Sequence, residues 1–369
     1  MTGSENPRDS RGGGSHRSLY EKIIARENIF AAWREFQNGK TRKSDVLIFS
    51  ENFESHLLDL HRDLANATYR HGGYQSFVVC DPKRRDIHKA CVRDRVLHHA
   101  IVRILTPIFD KTFIFDSYSS RKGKGTHKAI DRLRNFASKL SRNNTRSVWV
   151  LKCDVRKFFD SIDHDILLKI LSRKCCEEKF IGLLSNIIAS YNAKTKRGLP
   201  LGNLTSQLFS NVYMNEFDQF VKRKLRSKYY VRYADDFAIL SNDRQYLEQI
   251  LPELTSFLAE HLKLVMHDRK IVIEKWHCGI DFLGFVHFPH FSLVRTKTKQ
   301  RIFKKLAVRQ REYSLGKISA DQLASSVQSY LGVLGHSRNK RLILEIKSRF
   351  PIISPVGNPA TQISQSELG

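Results

Sequence analysis

An α+β fold, with sheet and helix sharing one layer, is what this sequence predicts, and three observations predict it. Runs rich in aromatic and β-branched residues, the mark of strands, occur at 148–153 and on both sides of Asp235-Asp236. Stretches with apolar residues at helical spacing lie between and around them. With 369 residues the chain exceeds the size at which single cores usually split, so two or three subdomains are expected.

The elements follow in order. Residues 1–18 are polar and rich in Gly, Ser and Arg without an apolar core, which excludes a secretory signal and predicts a disordered basic tail. Residues 19–70 read as helical, with Ile23, Ile24, Ile29, Phe30, Trp33 and Phe36 near helical spacing. A strand pair over 74–87 precedes a helix carrying Val96, Ala100, Ile101, Ile104 and Leu105, which Pro107 is expected to end. His98 and His99 are adjacent on this helix and face different directions, so they read as core or surface histidines rather than a ligand pair. From 146 to 290 the two acid-bearing strand regions alternate with helices around 166–171, 180–190 and 206–225, and Phe282-Leu283-Gly284-Phe285 reads as a strand. Beyond it, Arg295, Lys297, Lys299, Arg301, Lys304, Lys305, Arg309 and Arg311 give eight cations before the first acid, Glu312, interleaved with Ile302, Phe303 and Leu306 in an amphipathic helix. Such an unbalanced run repels itself without a partner. Residues 291–350 thus form a helical segment, punctuated by Gly335 and Pro351, and 351–369 read as a disordered tail.

Lys and Arg number 63 against 37 Asp and Glu, a net charge of +26, which implies a polyanionic partner more than any fold. No stretch approaches the roughly 18 apolar residues needed to span a bilayer, so no membrane partner is expected. The six cysteines, at 80, 91, 153, 175, 176 and 278, form no Cys-x-x-Cys pair and read as reduced residues of a cytoplasmic protein. His277, Cys278, His287 and His290 lack a zinc spacing and are taken as surface imidazoles.

The chemistry-bearing feature is Tyr233-Ala234-Asp235-Asp236, two adjacent carboxylates at the tip of a β-hairpin, with Asp154 at the end of another strand. Taken alone, an Asp-Asp pair is as well explained as a polar turn. Three converging carboxylates could instead hold two Mg²⁺ ions about 3.5–4 Å apart, one activating an attacking hydroxyl and one neutralising a triphosphate. Mg²⁺ takes hard oxygen ligands and keeps several waters, so a few carboxylates and substrate phosphates suffice.

Six blocks in one order decide between them. These are Arg93-Asp94-Arg95-Val96-Leu97-His98-His99-Ala100, Ser117-Tyr118 through Arg121-Lys122-Gly123-Lys124-Gly125-Thr126-His127, Asp154-Val155-Arg156-Lys157-Phe158-Phe159-Asp160-Ser161-Ile162-Asp163-His164, Gly198-Leu199-Pro200-Leu201-Gly202-Asn203-Leu204-Thr205-Ser206-Gln207, the Tyr-Ala-Asp-Asp box, and Phe282-Leu283-Gly284-Phe285. In these the chain resembles a reverse transcriptase from about Leu19 to about Phe350. The resemblance implies a right-hand polymerase fold: an N-terminal extension and fingers over 19–145, a palm over 146–290 and a helical thumb over 291–350. It implies RNA-directed DNA polymerase activity, with Asp154, Asp235 and Asp236 as catalytic metal-binding carboxylates and the Val155 carbonyl as a further ligand. Mg²⁺ is the implied cofactor, as two ions, with Mn²⁺ as a substitute.

Further roles come with the resemblance. Phe159 matches the steric gate, a ring that would clash with a ribose 2′-hydroxyl. Lys83, Arg85 and Arg93 fall where fingers reach the incoming triphosphate, a task that suits the guanidinium fork. Lys270 matches a palm lysine suspected of protonating departing pyrophosphate. Arg121 and the thumb cations Lys297, Lys299, Arg301, Lys304 and Lys305 would grip nucleic acid. Leu201, Gly202 and Gln207 line the nucleotide in a pattern, aliphatic-Gly-x3-Ser-Gln, that departs from the commoner Gln-Gly and Ser-Pro and resembles enzymes of diversity-generating retroelements, bacterial or phage-encoded, which miscopy template adenines. An apolar residue at 201 offers fewer oriented hydrogen bonds, hence weaker discrimination. The partners implied are an RNA template, a DNA or RNA primer, dNTPs and an accessory protein subunit. The same signature also fits an antiphage defence system using a non-coding RNA. A non-catalytic RNA-binding scaffold is the third reading, against which the acids argue, since they would weaken RNA binding unless metal neutralised them.

Overall fold

The computed structural model describes residues 18–80, 84–174, 176–192, 194–335 and 339–351. Lys83 and the two predicted tails, apart from Ser18 and Pro351, lie outside the described residues.

In chain order the helices α1 (Leu19–Ile24), α2 (Arg26–Gln37), α3 (Ser44–Glu51) and α4 (Phe53–Ala65) precede strands β1 (Tyr74–Cys80) and β2 (Arg84–Ala90). Helices α5 (Val92–Asp110) and α6 (Thr126–Leu140) lead to β3 (Trp149–Asp154). Then come α7 (Phe158–Ser161), α8 (His164–Ser172), α9 (Glu178–Ala189) and α10 (Leu204–Gln219). The acid-bearing hairpin is β4 (Tyr230–Tyr233) and β5 (Asp236–Ser241), followed by α11 (Arg244–Leu262) and β6 (Val272–Lys275). Strands β7 (Ile280–Phe282), β8 (Phe285–His287) and β9 (Ser292–Val294) precede α12 (Thr296–Ser314), α13 (Ala320–Gly335) and α14 (Lys340–Arg349).

The described residues fall into two compact units, and the predicted 146–290 segment is divided between them. The first comprises the N-terminal helices, the β1–β2 hairpin, α5 and residues 157–216. Its helical start is set by a capping box, in which Ser18 and Glu21 satisfy each other's backbone N–H groups. Asn28, buried between α2 and α5, gives its amide to the carbonyls of Ile23 and Ala100 at 2.9 and 3.0 Å. The sequence expectation that Pro107 ends α5 is corrected: the proline lies inside the helix. It forgoes the bond its N–H would give Arg103, but one more turn buries Phe109 to 3% exposure, and burying a large side chain contributes about 1.5–3 kcal/mol. His98 lies in the core of this helix and burial holds its pKa down to about 3.

The second unit contains residues 114–156 and the chain from 217 onward. Its centre is a four-stranded antiparallel sheet in the order β4-β5-β3-β6. Both sheet faces are covered, which is why β3 and β5 read as continuous apolar runs. On one face Val150, Val231, Ala238 and Leu240 pack against Leu133, Phe136 and Ala137 of α6. On the other Phe237 packs against Phe217, ring centroids 5.1 Å apart. Phe282-Leu283-Gly284-Phe285 is not a strand but a hairpin turn: Phe282 pairs with Phe285 across Leu283 and Gly284, whose φ angles are +51° and +93°. Two successive positive φ angles suit the twist of a two-residue hairpin, and glycine supplies one of them freely. The C-terminal helices α12, α13 and α14 pack around Ile302, Leu306, Val327 and Ile346.

Candidate active site

Register builds the site. In β3 and β5 Asp154 stands directly opposite Asp236, and across the hairpin Tyr233 stands opposite Asp236, so Ala234 and Asp235 form a two-residue turn. The Val155 amide donates to the Asp235 carbonyl at 3.3 Å, and the His267 amide donates to the Asp154 carbonyl at 2.8 Å. Period two then assigns the faces: Val150, Lys152 and Asp154 share one side of β3 and meet Asp236 and Ala238 of β5, while Tyr230 and Arg232 of β4 face the other way.

The electrostatics of the acid face are those of crowded like charges. Burial first, then the carboxylates of Asp235 and Asp154, push Asp236 up to about 7, against the pull of the Lys152 ammonium. Lys270 sets its ammonium 2.6 Å from Asp154 Oδ1. Among the described residues no group of three or more His, Cys, Asp or Glu side chains converges into a metal cage. The donor set nevertheless fits a hard divalent cation: carboxylate oxygens and the Val155 carbonyl lie at adjoining strand ends, and the cluster already draws two lysine cations. A cation held by Asp154 Oδ1 would compete with the Lys270 ammonium for that oxygen.

The turn carries strain. Ala234 has φ +54°, a left-handed conformation that costs a residue with a Cβ about 1–2 kcal/mol. Its carbonyl accepts from Arg232 Nη1 at 3.0 Å. Arg232 is fully buried and binds Asp218 through Nε and Nη2, both at 2.7 Å. Neither residue was singled out by sequence reasoning. The signal was present: an arginine within the apolar strand Tyr-Val-Arg-Tyr, and an aspartate on the face of α10 that also carries Met214, Phe217 and, one turn on, Val221.

The remaining sequence candidates distribute as follows. Lys83 lies outside the described residues. In the first unit Phe158 is buried at 3% exposure, and Phe159 is the half-exposed ring of the pair, at 5.4 Å between centroids. Leu201 is half-buried, its carbonyl accepting from the His88 amide at 3.1 Å. Gly202 has φ +107°, and a Cβ there would meet Ile87 Cγ2 at 2.9 Å, so any other residue clashes as well as strains. Gln207 and Arg85 are exposed. Arg93 pairs with Asp63 and lies over the Tyr69 ring. In the second unit Arg121 gives Nη1 to the carbonyls of Ile114 and Ser117, at 2.8 and 3.0 Å, and Lys299 pairs with Glu345 at 3.0 Å. Arg93, Arg121 and Lys299 are thus engaged within the protein, while Lys297 and Lys304 are exposed and Arg301 and Lys305 are half-buried on α12. His287, expected at the surface, is buried between Ser292 and the Phe282 carbonyl, and burial holds its pKa near 4. The described cysteines are unpaired.

Comparison with known proteins gives the family. The chain matches the family described as reverse transcriptase (RNA-dependent DNA polymerase) over residues 80–287, more than half its length. It belongs to that family, whose members work with divalent metal ions. It is 28% identical over 240 residues to Protein YkfC of Escherichia coli K12, across 55% of this chain and 62% of that protein. With the group II intron-encoded protein LtrA of Lactococcus lactis it shares 26% identity over 265 residues, 68% of this chain and 40% of LtrA. With the Retron Ec83 reverse transcriptase of Escherichia coli it shares 25% over 188 residues, 48% of this chain and 60% of the relative. The chain therefore spans less than two thirds of these relatives' lengths. Among solved structures, apo telomerase from Candida tropicalis aligns with TM-score 0.51 at 12% identity, over 76% of this chain and 58% of the telomerase chain. That likeness shows the fold alone, and the fold class is α+β of the right-hand polymerase type. No helix among the described residues is long and apolar enough to cross a membrane.

Proposed function

We propose that this protein is an RNA-directed DNA polymerase that copies a dedicated RNA into cDNA from a DNA or RNA primer and dNTPs. The observation that carries the reading is the register of Asp154 against Asp236 at adjoining strand ends, with Asp235 in the intervening turn, inside a reverse transcriptase domain. Asp154, Asp235, Asp236 and the Val155 carbonyl would hold divalent ions, Mg²⁺ with Mn²⁺ as a substitute, whose bound charge lowers the pKa of an attacking hydroxyl and offsets that of a triphosphate. Lys270, whose ammonium lies 2.6 Å from Asp154 Oδ1, would in this reading give a proton to a departing oxygen. Residues 19–145, 146–290 and 291–350 act in this reading as fingers, palm and thumb. The exposed Lys297 and Lys304 of α12 supply phosphate contact without reading sequence.

Primer extension tests the reading. The protein should lengthen a primer on an RNA template with Mg²⁺ and dNTPs and use NTPs poorly, and Phe159→Ala should narrow that sugar preference at least about tenfold, the scale of about 1.4 kcal/mol in transition-state discrimination. No extension on any RNA template would end the polymerase assignment.

The Leu201 position supports low copying fidelity. A half-buried leucine where a glutamine is commoner removes a polar group that the wrong partner would leave unpaired. Leu201→Gln is expected to lower misincorporation opposite template adenine several-fold while the other template bases change little. An unaltered error spectrum in sequenced products would remove the fidelity part of the reading and leave the polymerase part standing.

A further inference from the structure

We propose that Arg232 is the positioning residue of the Ala234-Asp235 turn, holding the catalytic hairpin in place from the face of the sheet opposite the acids. The guanidinium is fully buried and each of its nitrogens has an acceptor: Nε and Nη2 bind the two oxygens of Asp218, Nη2 also reaches Ser117 Oγ at 3.0 Å, and Nη1 reaches the Ala234 carbonyl. Its main chain is fixed as well, the amide donating to the Asp116 carbonyl and the carbonyl accepting from the Tyr118 amide, both at 3.0 Å. Asp218 is kept from turning by Tyr230, whose hydroxyl donates to Oδ1 at 2.7 Å.

Geometry makes this more than a buried ion pair. Fork-like binding of a carboxylate by Nε and Nη2 leaves Nη1 on the outer edge of a rigid plane, and that edge points to the one carbonyl between Tyr233 and the two acids. A left-handed alanine persists where its surroundings over-determine it, and here the determinant is a charged donor that cannot move without abandoning Asp218. Lysine cannot reproduce the arrangement, since a point charge on a flexible stem offers no fixed edge.

The inference rests on the polymerase reading only in its kinetic arm. Wild type, Arg232→Lys and Phe136→Leu are compared as full chains, the last being a cavity on the α6 side of the sheet with no part in the turn. Hydrogen exchange of the segment 231–240 is followed without metal or nucleic acid, and single-nucleotide extension is measured a fixed interval below each melting temperature. Arg232→Lys should speed exchange at the turn amides at least tenfold with the strand amides still protected. It should lower kcat by tenfold or more with KM for dNTP within twofold, whereas Phe136→Leu should do neither. Wild-type turn exchange in Arg232→Lys, or equal effects in Phe136→Leu, would overturn the proposal. If Arg232→Lys shows no cooperative melt, Ser117→Ala, which removes one acceptor and keeps the ion pair, is read by the same two measures at an expected two- to fivefold. Wild type that extends while Arg232→Lys behaves identically refutes the positioning role alone; wild type that never extends refutes the polymerase reading, and the exchange result still decides the role of Arg232.

Discussion

Asp235→Ala/Asp236→Ala should abolish primer extension, with a rate loss of at least about 10³-fold, while RNA binding persists or tightens. Removing one preorganised group that stabilises developing charge typically costs 10²–10³-fold, and this variant removes two of the three carboxylates at the strand ends. Binding moves the other way, because most of the affinity of a +26 protein for RNA is contact with phosphates, and deleting two anions beside that surface subtracts repulsion. Stability sharpens the test. Asp236 is a half-buried carboxylate crowded by Asp154 and Asp235, an arrangement of like charges that costs folding energy. The melting temperature is therefore expected to hold level or rise. Single-nucleotide extension, a filter-binding isotherm and a thermal melt on the same preparations check all three. Extension equal to wild type would end the assignment of these acids as catalytic, and a melting temperature that collapses with the activity would make the pair a structural element instead.

How much of this was legible in the sequence depends on whether a residue's task is local. The strands bearing Asp154 and Asp236 were readable because both sheet faces are covered and their apolar runs are continuous. The cationic helix was readable because Ile302 and Leu306 recur at helical spacing among charges. Pro107 was misjudged because a helix-breaking residue near a helix end costs little once Phe109 is buried beyond it. Phe282-Leu283-Gly284-Phe285 was misjudged because its turn needs two positive φ angles and only one falls on a glycine. Charge on its own did not separate surface cations from engaged ones: Arg93, Arg121 and Lys299 are matched by partners 30, 7 and 46 residues away. Arg232 and Asp218, 14 residues apart, are the extreme case, two charges that make sense only once sheet and helix are packed together.

Asp218→Ala is expected to destabilise the protein by about 3–5 kcal/mol, the usual consequence of removing one partner of a buried ion pair and leaving the other charge uncompensated. Arg232 and Asp218 both have no side-chain exposure, so water cannot replace the lost carboxylate, and Tyr230 loses its acceptor as well. For a unit of this size a loss of that order lowers the melting temperature by roughly 6–20 °C. Replacing both partners by apolar residues of similar volume, Arg232→Met with Asp218→Leu, should recover most of it, because the desolvation of two charges is then no longer incurred. Activity should not follow stability. The double variant still lacks a donor for the Ala234 carbonyl, so extension should remain well below wild type even where its melting curve matches. Melting curves and extension rates of wild type, Asp218→Ala and the double variant separate the two roles. A double variant as unstable as the single would show that the ion pair itself holds the fold, and one that regains full extension would show that the turn needs no staple.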